Sequence, residues 1–215
     1  MLAQRPRILF VLPATVLGGA EIRLLNMLGQ FKQIEAVLLS HQEMVNRCPE
    51  GILALSFEDY RDCIDPYPFN WRNACIYARA IAKVGNQLRA DLVFGWMHNG
   101  SVFTALAGTL FGLRSCLVGS VLGPVSAHYH FHRRSPTAYE RAILVFAFRR
   151  LRGLVVNSDG ARQDLIDRWY VPSRRVHRIY NGIDLSQVRT TAEQGNLKAD
   201  AEIPIVLTAS RLSLE

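Results

Sequence analysis

The sequence predicts an α/β fold in which a parallel sheet is covered by helices on both faces. Short apolar runs alternate along the 215-residue chain with longer segments of helical periodicity. The short runs are apolar on both of their faces, which is typical of parallel strands buried between two helical layers. Hydrophobic residues make up 49% of the chain and charged residues 20%, enough apolar material for a substantial core.

Each element follows from its own pattern. The first helix is predicted because Leu24, Leu25, Leu28 and Phe31 recur at helical spacing. The predicted strands are residues 7–12, 34–40, 91–96, 115–121, 153–157 and 176–180. The predicted helices are residues 20–31, 70–88, 101–111, 137–151 and 160–169. Residues 41–69 carry three prolines and are predicted to be the least regular part of this sheet-and-helix pattern.

The C-terminal part of the chain differs in composition. Residues 185–202 are mostly polar and charged and are predicted to be a linker. Residues 203–209 are predicted to be a new apolar strand, and because we expect nothing after it to cover it, it would be an aggregation liability. We therefore expect residues 1–184 to be one domain and residues 203–215 to be the start of a second, truncated one.

The charge balance restricts the class of partner. Lys and Arg number 25 against 18 Asp and Glu, a net charge of +7, which suits a phosphate-bearing substrate, an acidic membrane or nucleic acid, or simply reflects a solvated basic surface. Pro13 ends the first apolar run too early for a signal peptide, and any membrane contact is expected to be peripheral. The four cysteines are far apart, which favours free thiols in the cytoplasm.

A glycine loop follows the first strand and leads into the first helix. Gly18 and Gly19 would let the backbone approach an anionic ligand beyond the carboxyl end of that strand, although a plain turn with Glu21 as a favourable first-turn charge fits equally well. The adjacent glycines, without a third, do not match the dinucleotide fingerprint. The chain also contains no Gly-Lys-Ser/Thr triplet, which excludes a P-loop.

Five motifs together resemble the retaining glycosyltransferases of family 4, which have the GT-B fold, and the resemblance covers nearly the whole chain. The most specific is Asn181-Gly182-Ile183-Asp184, at its distance after Asn157-Ser158. The others are the segments 18–21, 91–98 and 209–213. The resemblance implies a Rossmann-like N-terminal domain that holds the acceptor, and a C-terminal domain that binds a nucleotide-diphosphate sugar.

The resemblance also implies roles for individual residues. Gly18, Gly19 and Arg211 would bind the donor diphosphate, and His98 would be the catalytic polar residue, although some relatives have their histidine one position later. Glu21 and Asn99 would lie on the acceptor side. Independently of the resemblance, the adjacent charges of Arg133 and Arg134 could meet a phosphate on the acceptor, which would also place them on that side. No metal or other cofactor is expected, because side-chain cations and backbone N–H groups would neutralise the leaving diphosphate. Retaining hexosyl transfer to a glycan, a lipid-linked acceptor or a small molecule is implied, without nucleic acid, and the fragment alone is expected to be inactive.

Three further patterns leave alternatives open. The alternating His128, His130 and His132 would form a metal face only on a strand, and the segment is predicted to be a loop. The helix at 137–151 is apolar with arginines at its ends, which fits either a core helix or a helix lying on an anionic membrane surface. Finally, the chain could be a stand-alone Rossmann-like module that binds a phosphorylated ligand or a protein without catalysis.

Overall fold

The structure, a computed structural model, describes residues 5–60, 71–131, 135–182 and 185–194. Its chain divides into two compact units, Met1–Tyr180 and Asn181–Glu215. The first unit contains a seven-stranded parallel sheet in the order β3-β2-β1-β4-β5-β6-β7. The strands are β1 (Arg7–Leu12), β2 (Glu35–Ser40), β3 (Leu53–Ser56), β4 (Leu92–Gly95), β5 (Cys116–Val121), β6 (Gly153–Val156) and β7 (Val176–Arg178).

Helices connect the strands and cover both faces of the sheet. They are α1 (Gly19–Leu28), α2 (Gln42–Val45), α3 (Trp71–Gln87), α4 (Met97–Leu110), α5 (Val125–Phe131), α6 (Ala138–Arg150) and α7 (Asp159–Asp167). In the second unit, α8 spans Leu185–Gln194. The predicted α/β fold with a parallel sheet is confirmed, and so are the six predicted strands, to within two residues at either end.

Alternation along the strands produces two cores, one on each face of the sheet. In β1, Leu9 and Val11 join a core with α3, α4, α6 and α7, whereas Phe10 and Leu12 join a second core with α1. All four side chains are at least 96% buried. The helical periodicity of α1 is thus used as predicted, with Leu24, Leu25 and Leu28 packed on the sheet.

Two local predictions were wrong, and one strand was missed. The described part of region 41–69 contains α2 and the edge strand β3, whose Leu53 is half exposed and so gives a weak apolar signal. The segment around residues 128 and 130, predicted to be a loop, is the helix α5, so it is not a strand with a metal-binding face. α4 begins at Met97, four residues before the predicted start at residue 101.

Two other expectations fall on the C-terminal segment. Residues 185–194 of the predicted linker form α8, and the chain division at Tyr180 lies four residues before the boundary predicted at residue 184. The predicted strand at 203–209 lies outside the described residues.

Candidate functional site

The candidate site lies at the carboxyl ends of β1 and β4, where the strand order reverses. From β1 the chain first moves outward through β2 and β3, then returns to place β4 on the other side of β1. The helices that follow β1 and β4 pack on opposite faces of the sheet, α1 in one core and α4 in the other, and in open α/β sheets such a divergence leaves a crevice at the strand ends. Ligands of open α/β sheets bind at such a switch point.

The glycine loop forms one wall of this crevice. Gly18 has an extended backbone and precedes the first turn of α1, and its N–H donates to Glu21 Oε2 at 2.9 Å. Glu21 is 7% exposed, so its carboxylate holds the loop against the start of the helix. A Cβ at Gly19 would meet no atom within 4 Å outside its own stretch of the chain, so this face of the loop is open.

Trp96 joins this wall to the other one. Its backbone N–H donates to the Val11 carbonyl at 2.8 Å and continues the β1–β4 pairing past the last strand residue. Its indole Nε1 donates to the carbonyl oxygen of Ala20, in the first turn of α1, at 3.0 Å. The structure thereby brings the Gly18-Gly19 loop alongside the segment that carries His98 and Asn99.

The turn from β4 into α4 is tight and strained. Met97 has φ +62°, a conformation that costs a non-glycine residue of the order of 1 kcal/mol or more. A Cβ at Gly95 would lie 2.4 Å from the Gly100 carbonyl oxygen, and one at Gly100 would lie 2.9 Å from the Val11 carbonyl oxygen. Glycine at both positions therefore lets the start of α4 press against the end of β1.

His98 and Asn99 lie in the first turn of α4, which is a 14-residue helix. His98 is half-buried. Asn99 is 6% exposed, and its Nδ2 has no hydrogen-bond partner among the described residues. A buried amide donor without a partner is costly, so Asn99 is the polar group of this crevice that a ligand would best satisfy.

Two serines that the sequence analysis did not single out form the floor beneath this turn. Ser120 Oγ accepts from the Met97 N–H at 3.0 Å, which supports the strained residue. Ser101 Oγ donates to the Ser120 carbonyl at 2.9 Å and accepts from the Ser120 N–H at 3.0 Å. In the sequence, the signal for this cluster was a polar residue, Ser120, within the otherwise apolar strand β5.

A second polar cluster, also missed, lies beyond the end of β2. The buried His41 donates through Nδ1 to Glu58 Oε1 at 2.7 Å, and its Nε2 lies 2.5 Å from the Tyr77 hydroxyl. Partial burial acts to raise the pKa of the Glu58 carboxyl, but hydrogen bonds from Ser56 and His41 hold it below its ordinary value of 4.5. With its three groups bonded to each other, this cluster stabilises the sheet edge.

The other predicted site residues, Arg133, Arg134 and Arg211, lie outside the described residues, as does His132. Within the described part of the chain, no group of three His, Cys, Asp or Glu side chains is arranged to hold a metal ion. In the same part, none of the helices combines the length and the apolar character needed to cross a bilayer.

The fold and the switch-point crevice define a Rossmann-like domain of the kind that forms one half of a GT-B glycosyltransferase. Residues 17–187 match glycosyltransferase family 4, and the chain belongs to that family. The predicted family resemblance is thereby confirmed. No curated protein matches the sequence significantly.

Solved structures with similar folds come from several enzymes. HepE of Anabaena in complex with UDP-glucose is 17% identical with a TM-score of 0.59, over 87% of this chain and 49% of its own. Sucrose-phosphate synthase of Thermosynechococcus elongatus is 12% identical with a TM-score of 0.65, over 91% of this chain and 54% of its own. UDP-N-acetylglucosamine 2-epimerase of Rickettsia bellii is 12% identical with a TM-score of 0.57, over 92% and 50%. The chain spans about half the length of these structures.

Proposed function

We propose that this chain is the acceptor-side domain of a retaining glycosyltransferase. The complete enzyme would move a hexosyl group from a nucleotide-diphosphate sugar to a hydroxyl of a glycan, a lipid-linked acceptor or a small molecule. The observation that carries the proposal is the hydrogen bond from Trp96 to Ala20, which joins the glycine loop to the His98–Asn99 turn at the switch point of a family 4 domain. The four scattered cysteines fit a cytoplasmic location, where thiols stay reduced.

Nucleotide-diphosphate sugar is the proposed donor because the crevice suits an anionic leaving group. The open face at Gly19 allows a diphosphate to approach the backbone closely. The structure of HepE with UDP-glucose, which shares this fold, is consistent with such a donor. Arg211 would add a side-chain cation from the C-terminal segment, so that the leaving diphosphate needs no metal.

The acceptor would meet the first turn of α4. In this proposal His98 contacts the reacting sugar or hydroxyl, and the Asn99 amide donates to the acceptor. Glu21 acts by holding Gly18 in place, through the hydrogen bond described above. Arg133 and Arg134 would contact an acidic group of the acceptor.

The chain alone is proposed to be inactive, because it covers only about half the length of the similar structures and the rest would bind the donor. The test is to express the source reading frame continued past Glu215, and to incubate it with nucleotide-hexose donors and an acceptor panel. Mass spectrometry would detect the product, and the anomeric coupling constant in its proton NMR spectrum would report retention.

Each result has a distinct meaning. A glycosylated product with the donor's anomeric configuration supports the proposal, and an inverted product overturns retention. Interconversion of the sugar without an acceptor would instead indicate an epimerase, like the UDP-N-acetylglucosamine 2-epimerase among the similar structures. If the reading frame ends at Glu215, and residues 1–215 are monodisperse and bind a phosphorylated ligand without turnover, the stand-alone binding module is correct.

A further inference from the structure

The solvent-facing side of α6 carries an apolar stripe between its arginines, where a surface helix is normally polar throughout. Ile143, Leu144, Ala147 and Phe148 fill the inward face. The outward face carries Ala138, Ala142 and Phe146, which line an open groove together with Val145, a partly buried residue that also packs against the core. Phe146 is 41% exposed. Because apolar residues occur on both sides of α6, the sequence did not distinguish a core helix from a helix that lies on a membrane surface.

Arginines surround this apolar stripe. Arg141, Arg149 and Arg150 line the same groove, all three are exposed, and none forms an ion pair with an acidic residue in the described ranges. The groove lining contains no acidic side chain. Arg150 stands 5.0 Å above the Phe146 ring, so charge and aromatic surface are presented together. Arginines in the last helical turn also interact favourably with the helix dipole. That interaction does not explain the apolar residues between them.

Tyr170 extends the groove from a neighbouring turn. Its backbone has φ +54°, a strained value for a tyrosine, and its side chain is 57% exposed. The preceding Trp169 is buried at 2% exposure, and the Arg141 guanidinium lies 5.7 Å from the Tyr170 ring. The strained backbone holds an aromatic ring in solvent at a position where asparagine or glycine would fit with less strain.

We propose that this α6 face, formed by Arg141, Phe146, Arg149, Arg150 and Tyr170, docks on an anionic phospholipid membrane surface. Arginines attract lipid phosphates, while exposed phenylalanine and tyrosine rings favour the boundary between headgroups and acyl chains. A second copy of the same basic face would be repelled, which disfavours self-association. The 13-residue helix is about 20 Å long, enough to lie across several headgroups.

The test is sedimentation of residues 1–215 with vesicles, which needs no sugar donor and is therefore independent of the proposed transferase activity. We expect binding to phosphatidylcholine vesicles that contain 30% phosphatidylglycerol, little binding to pure phosphatidylcholine, and loss of binding at about 0.5 M salt. The double variant R149E/R150E is expected to reduce the partition coefficient by about tenfold or more.

The matched control is R72E/R79E, which changes the net charge by the same amount as R149E/R150E but at two exposed positions of α3. Equal losses in the two double variants would show a net-charge effect and overturn the proposal. Binding to neutral vesicles that salt does not affect would also overturn it, as would binding of an acidic peptide without binding of anionic vesicles.

A second readout covers the case in which R149E/R150E does not fold. In Phe146→Trp, the new indole would replace an exposed ring of α6. Vesicles with brominated acyl chains are expected to quench this variant clearly more than the wild type, whose own three tryptophans provide the baseline. Equal fractional quenching of the two proteins would contradict docking through this face.

Discussion

The Trp96 indole Nε1 lies 3.0 Å from the carbonyl oxygen of Ala20, although 76 residues separate the two in the chain. This hydrogen bond joins the end of β4 to the start of α1 across the switch point of the sheet. It fixes the glycine loop relative to the turn that carries His98 and Asn99. The geometry of the candidate site therefore depends on one buried indole.

Replacing Trp96 with phenylalanine tests that dependence. Trp96→Phe keeps an aromatic ring in a site that is 5% exposed, but removes the donor. We expect a loss of about 1 kcal/mol in the free energy of unfolding, measured by urea denaturation. Amide hydrogen exchange should also become faster at Gly18 and Gly19. The control Trp71→Phe, at a 41% exposed position, should change neither quantity, and unchanged exchange in Trp96→Phe would refute the coupling.

The close approach of Gly95 to Gly100 predicts a large effect from one added methyl group. In Gly95→Ala, the Cβ would lie 2.4 Å from a backbone oxygen that cannot rotate away, and we expect destabilisation by about 2–3 kcal/mol. At Gly29, the nearest atom outside α1 to an added Cβ is 3.6 Å away, so Gly29→Ala should change the unfolding free energy by less than about 0.5 kcal/mol. Similar denaturation midpoints for the two variants would contradict the tight turn.

The lowered pKa of Glu58 predicts part of the acid sensitivity of the fold. Its pKa is lower in the folded state than its ordinary value of 4.5. The carboxylate therefore contributes stability above pH 4.5, and this contribution is lost as the pH falls through the folded-state pKa. Glu58→Gln should be less stable than wild type at neutral pH, and the two denaturation curves should converge in acid.

The control for this pH dependence is Glu43→Gln, in an exposed pair with Arg47 on α2. Its stability curve should run parallel to that of the wild type from neutral pH into acid. A Glu58→Gln curve that is also parallel would show that the His41–Glu58–Tyr77 cluster does not contribute to the pH dependence.

The free space beside Gly19 predicts a variant that folds normally but binds the donor poorly. A Cβ at Gly19 would meet no neighbouring atom within 4 Å, so we expect Gly19→Leu to leave the melting temperature unchanged. If the donor diphosphate approaches this loop, the donor KM of the complete enzyme should rise about tenfold or more, with Gly19→Ala intermediate. Gly160→Ala, in the first turn of α7, where the nearest atom is 4.0 Å away, is the control. An unchanged donor KM in Gly19→Leu would place the diphosphate elsewhere.

Two buried polar groups without described partners distinguish a ligand contact from a packing defect. Asn99 lies in the first turn of α4, whereas Thr104, which is fully buried, lies in the helix interior. Asn99→Ala should lower kcat/KM of the complete enzyme by about tenfold to a hundredfold and cost little stability. Thr104→Val should leave kcat/KM unchanged, and it should raise the free energy of unfolding by about 0.5–1 kcal/mol because an unsatisfied hydroxyl is removed. Equal activity in the two variants would exclude Asn99 from the site.

Local sequence patterns were sufficient to predict the elements that carry a strong signal. Buried strands such as β1 and β5 are apolar on both faces, and α1 repeats its leucines at helical spacing, so both were predictable without the fold. The motifs at residues 18–21 and 157–184 also identified the family. Segments whose pattern depends on their surroundings were missed, among them the half-exposed edge strand β3 and the short helix α5.

The relative placement of these strands and helices follows from the tertiary structure and could not be predicted from local patterns. Local periodicity contains no information on strand order, so the switch point between β1 and β4 could not be read from it. β1 and β4 are far apart in the chain, but the sheet places their carboxyl ends side by side. This arrangement produces the positive φ of Met97, the contact of Gly95 with Gly100 and the amide of Asn99 that has no described partner. Chemistry at this site depends on distances between residues far apart in the chain, and those distances are fixed by packing rather than by sequence spacing.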